Sequence, residues 1–145
     1  MVAQVSAPRI RAWNPGIAGI REVFHARFAD HAYPKHTHDV WTLFIVDDGA
    51  IRYDLECRAG GAETSMVSIL PPHVVHDGRA ADTRGFTKRV LYLETSLIDE
   101  ALIGAAVDDP VLHAAGFRSR VAALHDSLIR ADDALEAETR LAFIA

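Results

Sequence analysis

The sequence predicts a mainly β fold, in which a small β-barrel is followed by C-terminal α-helices. Up to residue 94, short strand-like segments are separated by turn signals such as Asn14–Gly16 and Asp47–Gly49. Several short strands at regular spacing are typical of a β-sandwich or barrel. Beyond residue 94, apolar residues recur every three or four positions, which is the helical period. We therefore predict a barrel over residues 1–94 and a helical segment over residues 95–145.

The strands of the barrel are predicted where β-branched and aromatic residues are frequent or alternate with polar ones. These segments are Arg9–Trp13, Gly19–Phe28, His36–Val46, Ala50–Cys57, Thr64–Leu70 and Phe86–Glu94. Residues 31–34 are interpreted as a loop, and residues 58–61 as a turn. Gly49 is expected to adopt a positive φ in a hairpin turn, because glycine has no Cβ to oppose it.

The helical segment begins at Thr95 or Ser96, a plausible N-cap for a helix to about Gly104. A second helix is predicted to start near Asp108–Pro110, since proline is favoured in a first turn. One apolar stripe then follows the helical period. It consists of Phe117, Val121, Leu124 and Leu128. The stripe either packs on the outside of the barrel or pairs with its copy in a second subunit, and the sequence leaves both interpretations open.

A final helix, capped by Asp132 or Asp133, is expected to carry Leu135, Leu141 and Ile144. The sequence stops inside this helix-favouring run, without the Gly, Pro or Asn that commonly ends a helix. We therefore expect the chain to be a fragment of a longer protein.

Composition excludes several classes of protein. The 145 residues are enough for one domain with a hydrophobic core. The formal net charge of −5 would be repelled by phosphate backbones, so this stretch is not expected to bind nucleic acid by itself. Cys57 is the only cysteine, which excludes an intrachain disulfide and a thiolate metal cluster. No signal peptide or membrane-spanning run is evident, so we expect a soluble cytoplasmic protein without a membrane partner.

The pair His36 and His38 carries the sharpest chemical signal in the sequence. Alternate residues of a strand point to the same side, so both imidazoles can reach one metal ion. A third donor is then needed, and we assign it to His76, which follows the stiff Pro71–Pro72 segment. Zinc is the first choice for three neutral imidazoles, with nickel or iron(II) as alternatives. The other interpretation is a metal-free polar pocket in which the histidines form hydrogen bonds.

These histidines also carry a resemblance to the cupin family. The first cupin motif has His-x-His followed by Glu, and here Thr42 stands at the Glu position after His36 and His38. The second motif has Pro-x-Gly-x2-His, and here His73 replaces the Gly while His76 matches the His. The resemblance implies a cupin-like β-barrel, that is, a double-stranded β-helix or jelly roll. Cupin enzymes commonly use the Glu as a fourth ligand, so Thr42 argues against enzymatic activity.

The fuller pattern resembles the N-terminal effector-binding and dimerisation domain of AraC-type transcription regulators. The stretches HAYPKHTHDVWTLFIVDDGAIRYDL and SMVSILPPHVVHDGRA carry this resemblance, which covers roughly residues 10–130. It implies a small-molecule effector, a homodimer and no enzymatic activity. It also implies a C-terminal DNA-binding domain with two helix-turn-helix motifs that is not present in this chain. The alternatives are a metal-dependent cupin enzyme, such as a dioxygenase or isomerase, and a stand-alone binding protein.

The effector pocket is expected inside the barrel, and no catalytic residue is assigned. The inward candidates on one strand are His36, His38, Val40, Thr42 and Phe44. Tyr53 and Trp13 are added as aromatic ligand contacts, Trp13 because the resembled family folds an N-terminal arm over the barrel mouth. Few charges fall at these inward positions, which favours a neutral or mildly polar effector.

Overall fold

The computed structural model describes residues 9–29, 32–82, 84–130 and 134–144. Ten strands and three α-helices form this part of the chain. The strands are β1 (Arg9–Trp13), β2 (Ile20–Phe28), β3 (Ala32–His36), β4 (Trp41–Gly49), β5 (Ile51–Leu55), β6 (Arg58–Ala62), β7 (Val67–Leu70), β8 (His76–Ala80), β9 (Phe86–Leu93) and β10 (Val111–Leu112). The helices are α1 (Ile103–Asp108), α2 (Phe117–Ile129) and α3 (Ala134–Ala142), and a 3₁₀ turn, Glu100–Leu102, precedes α1.

The strands form two antiparallel sheets that face each other. The larger sheet has the order β1-β2-β9-β4-β7-β10, and the smaller sheet has the order β3-β8-β5-β6. This arrangement confirms the mainly β, cupin-like prediction. It differs from a closed barrel, because within the described residues no strand pairing joins the two sheets.

The central part of the larger sheet is buried on both faces. One hydrophobic cluster lies between this sheet and the helices, and a second lies between the two sheets. Strand β4 shows the division: Trp41 and Leu43 belong to the first cluster, and Phe44 and Val46 to the second. Burial of both faces explains why this strand is almost continuously apolar, whereas a strand with one solvated face alternates with polar residues.

The predicted strand His36–Val46 is broken in the structure. Strand β3 ends at His36 and pairs with β8, whereas β4 begins at Trp41 in the other sheet. The chain therefore crosses between sheets over residues 37–40, which alternation alone does not reveal. Two further predictions were wrong, because β3 includes the expected loop residues 32–34 and β6 the expected turn 58–61.

The apolar stripe of α2 packs within the chain. Val121 and Leu124 are fully buried against the outer face of the larger sheet, in the same cluster as Phe117 and Leu128. The stripe is thus not available for pairing with a second subunit. No helix among the described residues is long and apolar enough to span a membrane.

The helices begin at different residues from those predicted. Asp99 caps the 3₁₀ turn by accepting a hydrogen bond from the Ala101 N–H, so no helix starts at residue 95 or 96. The expected helix start at Asp108–Pro110 is wrong, because β10 follows at once and pairs with β7. The expected cap at residues 132 and 133 lies outside the described residues. The division of the chain at residue 94 remains a prediction, although β10 adds a strand from the second part to the larger sheet.

Candidate ligand and metal site

A cavity of about 310 Å³ lies between the two sheets. Its volume falls at the lower end of the range that holds small molecules in proteins. Most of its wall is aromatic or aliphatic, with a few polar groups. The wall residues are Phe24, Tyr33, Pro34, His36, His38, Thr42, Phe44, Ile51, Tyr53, Leu70, His76, Asp77, Gly78, Phe86, Lys88, Val90 and Tyr92.

Local structure brings the three predicted histidines together. His36 ends β3 and lies directly opposite His76 in the register of β3 and β8. His38 lies in the connection to β4, which is tied to the second motif because the His38 carbonyl accepts a hydrogen bond of 2.8 Å from the His73 N–H. The next residue, Asp39, forms an ion pair of 2.6 Å with Arg21. These contacts hold the His38 side chain beside the other two.

The three imidazoles form one compact cluster. One ring nitrogen from each of His36, His38 and His76 lies within 4.8 Å of the other two. The ring centroids are 4.5 Å apart for His36 and His76, 4.8 Å for His36 and His38, and 5.3 Å for His38 and His76. Because zinc-to-imidazole bonds are about 2.0–2.1 Å long, small side-chain rotations are enough for all three to reach one ion.

Backbone carbonyls assign the tautomers of two of these rings. Nδ1 of His36 lies 2.7 Å from the Pro34 carbonyl oxygen, and Nδ1 of His76 lies 3.3 Å from the Val74 carbonyl oxygen. A carbonyl only accepts, so each Nδ1 carries the hydrogen and donates it. Each Nε2 then keeps its lone pair. This is the arrangement that orients imidazoles as metal ligands in known sites.

Burial favours the neutral form of two rings in the cluster. It lowers the pKa of His76 to about 4, and the neighbouring His36 adds to this effect. Burial also lowers the pKa of His38, again with a contribution from His36. Neutral imidazoles have the free lone pairs that both a metal ion and a hydrogen-bond donor of a ligand require.

Some of the remaining predicted ligand residues line the cavity, and others do not. Thr42, Phe44 and Tyr53 line the cavity, and the hydroxyl groups of Thr42 and Tyr53 have no hydrogen-bond partner among the described residues. Val40 is buried just before β4 but lies outside the cavity wall. Trp13 lies on the opposite side of the larger sheet, because β1 pairs with the edge of β2 instead of covering the cavity as an arm.

Trp13 takes part in a different cluster. Its ring packs edge-on against the ring of His25, with 5.1 Å between the ring centroids, beneath the end of α2. Nε2 of His25 lies 3.0 Å from Nδ1 of His125, which is fully buried in α2. Burial lowers the pKa of His125 well below its usual value, and both rings are neutral at pH 7. This pair is therefore part of the packing between helix and sheet.

Lys88 is a cavity residue that the sequence interpretation missed. Phe86, Lys88, Val90 and Tyr92 alternate along β9 and all face the cavity. The period of two along this predicted strand was the available signal. Lys88 adds a charge to the cavity wall at a position that was not among the predicted inward residues.

Comparison with known protein families identifies a family whose sequence pattern matches most of this chain. The sequence pattern of the AraC-like ligand binding domain matches residues 19–144. No protein among those with curated functions matches the chain.

Solved structures with similar folds include a regulator and several cupins. CuxR, described as an AraC-like transcriptional activator, is similar over 94% of this chain and 52% of its own, with a TM-score of 0.69 and 12% identity. The cupin domain of Schizosaccharomyces pombe Cnp3 is similar over 65% of this chain and 69% of its own, with a TM-score of 0.55 and 9% identity. A cupin superfamily protein from Desulfitobacterium hafniense is similar over 65% of this chain and 84% of its own, with a TM-score of 0.54 and 14% identity. At these identities the similarity shows the fold alone.

Proposed function

Since this chain belongs to the AraC-like ligand binding domain family, we propose that it is the effector-binding domain of an AraC-type transcription regulator. A small molecule binds between the two sheets and controls a C-terminal helix-turn-helix domain that this chain does not include. The observation that carries the proposal is the cavity of about 310 Å³ between the sheets, with polar groups at a few points of an apolar wall. Such cavities are typical of small-molecule sites.

Thr42 favours a sensor over an enzyme. At the position where the cupin motif has a carboxylate, the structure has a hydroxyl group inside the cavity wall. The cluster of His36, His38 and His76 contains no acidic member among the described residues. A three-imidazole set leaves a coordination position open, which suits a ligand-anchoring ion, whereas the enzymatic alternative lacks the usual fourth ligand.

The reading frame beyond Ala145 tests the regulatory part of the proposal. We expect roughly a hundred further residues with a basic helix-turn-helix pattern. A stop codon directly after Ala145 would contradict control of DNA binding by this chain. Ligand binding in the cavity is independent of that outcome.

We also propose that the three histidines hold one divalent metal ion, with zinc before nickel or iron. Two observations support this proposal. The Nε2 atoms of His36 and His76 keep their lone pairs, and all three rings are close enough to bind one ion. A bound ion would anchor an electron-rich group of the effector at this end of the cavity.

Metal analysis with matched variants tests this site. We expect about one zinc per chain in protein purified without chelators, and loss of this zinc in His36→Ala and His76→Ala. His73→Asn is the control, because residue 73 is exposed and asparagine tolerates its positive φ of 65°. Equal metal content in all four proteins, or none in the parent, would leave the metal-free polar pocket as the correct interpretation.

The homodimer remains a proposal, and its interface must differ from the buried α2 stripe. Large apolar side chains are exposed on α3 and directly after it, where Leu135 is 75% and Phe143 is 74% exposed. We expect a dimer by sedimentation at high concentration, and dissociation in Leu135→Glu. Glu138→Gln, on the same helix, is expected to remain dimeric. A strictly monomeric parent protein would contradict the proposal.

A further inference from the structure

Lys88 places an ammonium group inside the cavity wall. Its Nζ lies 4.5 Å from the ring centroid of Tyr33, 5.5 Å from that of Phe24 and 6.0 Å from that of Phe86. The side chain is half-buried, and burial lowers the pKa of Lys88 to about 8. The protonated form still predominates at neutral pH, so the cavity contains a positive charge.

Among the residues that the structure describes, no anion balances this charge. Within the described residues, no carboxylate lies within ion-pair distance of Lys88, and its ammonium donates no hydrogen bond to another group. Asp77 is the one carboxylate in the described cavity wall. Its Oδ1 accepts a hydrogen bond of 2.8 Å from the Asp54 N–H and lies 3.8 Å from the Arg79 guanidinium.

An unpaired cation at this position lowers the stability of the protein. Desolvation of an ammonium without a counter-charge is unfavourable, and contacts with aromatic faces compensate only in part. An uncharged side chain of the same length would fill the space without this loss. Residues that reduce stability in this way are expected at binding sites, where a ligand supplies the missing partner.

The rest of the cavity wall indicates the chemistry of the ligand apart from its anionic group. Away from the histidines and Lys88, most of the wall consists of apolar side chains. They include Phe44, Ile51, Leu70 and Val90. The Thr42 and Tyr53 hydroxyls add two polar groups without a protein partner among the described residues. The wall therefore fits a small molecule with an apolar body and an anionic end.

We propose that the effector is a small organic carboxylate, whose anionic group pairs with Lys88 and whose apolar body lies between the sheets. This inference rests on the proposed sensing function and names its ligand class. It replaces the neutral or mildly polar effector expected from the sequence. The histidine cluster lies in the same cavity, where it is available for a second polar group of the ligand.

Matched pairs of acid and amide test the role of the charge. Hexanoate with hexanamide and benzoate with benzamide differ in charge but little in shape. We expect at least one carboxylate to raise the Tm of the protein and to bind at least about tenfold more tightly than its amide, as measured by calorimetry. The proteins to compare are the parent, Lys88→Met, Lys88→Arg and the control Lys35→Met, which removes an exposed lysine on β3.

Lys88→Met has a specific signature. We expect its Tm without ligand to exceed that of the parent, because the unpaired charge is gone, and its preference for carboxylate over amide to disappear. Lys88→Arg keeps the preference, and Lys35→Met behaves as the parent. A merely structural lysine would instead leave the preference intact and lower the Tm on substitution.

Three outcomes would overturn the proposal. They are equal binding of acid and amide, an unchanged preference in Lys88→Met, and no binding of any of these carboxylates. Binding of neutral compounds in the cavity would then leave the sensing function standing and reject only the carboxylate class. A missing helix-turn-helix domain would reject the regulator without affecting this measurement.

Discussion

Single residues in the left-handed backbone region define two tight turns next to the cavity. Gly49 ends β4 with a φ of +78°, and a Cβ at this position would overlap the carbonyl oxygen of Gly85. His73 adopts a φ of +65° in the turn before β8, at the position where the cupin motif has glycine. The same backbone requirement is therefore met by glycine at one turn and by a less suitable residue at the other.

Gly49→Ala is expected to destabilise the protein by about 2–4 kcal/mol, because it combines backbone strain with a steric clash. Gly104→Ala is the matched control. Gly104 lies in α1 with open space around it, so alanine is expected to be neutral or to stabilise by about 0.5–1 kcal/mol. Urea unfolding of both variants measures the difference, and similar values for the two would contradict the clash.

His73→Gly is expected to stabilise the protein by about 0.5 kcal/mol. Relief of left-handed strain contributes about 1–2 kcal/mol, and the greater freedom of glycine in the unfolded chain offsets about half of this or more. The exposed imidazole contributes little to packing. Denaturant midpoints at constant m-value measure the effect, and a lower midpoint would show that the His73 side chain makes a contact that outweighs the strain.

At the scale of elements, α2 depends on its packing against the sheet. Its N-cap, Gly116, forms no side-chain capping hydrogen bond, and the helix has only 13 residues. Isolated helices of this length are marginal in water. The stability of α2 therefore comes from its contact with the larger sheet, where Val121 and Leu124 are fully buried.

Leu124→Ala is expected to destabilise the protein by about 3 kcal/mol through the cavity that it leaves. Ile129→Ala on the same helix removes a side chain that is 46% exposed, and a loss of at most about 1 kcal/mol is expected. Equilibrium unfolding of both variants provides the test. Equal losses would mean that α2 does not pack through the stripe.

At the scale of the whole molecule, neutral histidine rings are buried on both sides of the larger sheet. His76 faces the cavity, and the pair of His25 and His125 lies under α2. Burial is the main cause that lowers the pKa of His25 and His76 to about 4 and that of His125 well below its usual value. In the unfolded chain these rings have a pKa of about 6.5.

The free energy of unfolding of the metal-free protein is therefore expected to fall as the pH falls from about 6.5 towards 4. In this window the unfolded chain binds more protons than the folded one, so stability rises with pH. His125→Gln, which retains a hydrogen-bond partner for His25, is expected to flatten the dependence. Unfolding curves at several pH values measure the slope, and an identical slope in the variant would contradict the assignment.

The sequence predicted those parts of the protein that depend on local pattern. Alternation along β4 separated Thr42 and Phe44 from Trp41 and Leu43, and the structure places these pairs on opposite faces of the larger sheet. The spacing of the cupin-like motifs brought His36, His38 and His76 together as candidates, and their rings do cluster. The alternation along β4 survives in a single sequence because a strand has a strict period of two, whereas the histidines were found through the spacing of the motifs.

Only the tertiary structure decided the remaining features, because they depend on which strands become neighbours. The transfer of the chain between sheets at residues 37–40 places His38 beside β8, and the edge position of β1 places Trp13 outside the cavity. Strand pairing also turns Lys88 towards the aromatic wall, where the described residues supply no counter-charge. The sequence by itself determined a mainly β fold with a histidine motif. The packing of two sheets and a helical layer determined that this motif shares a cavity with an unpaired cation.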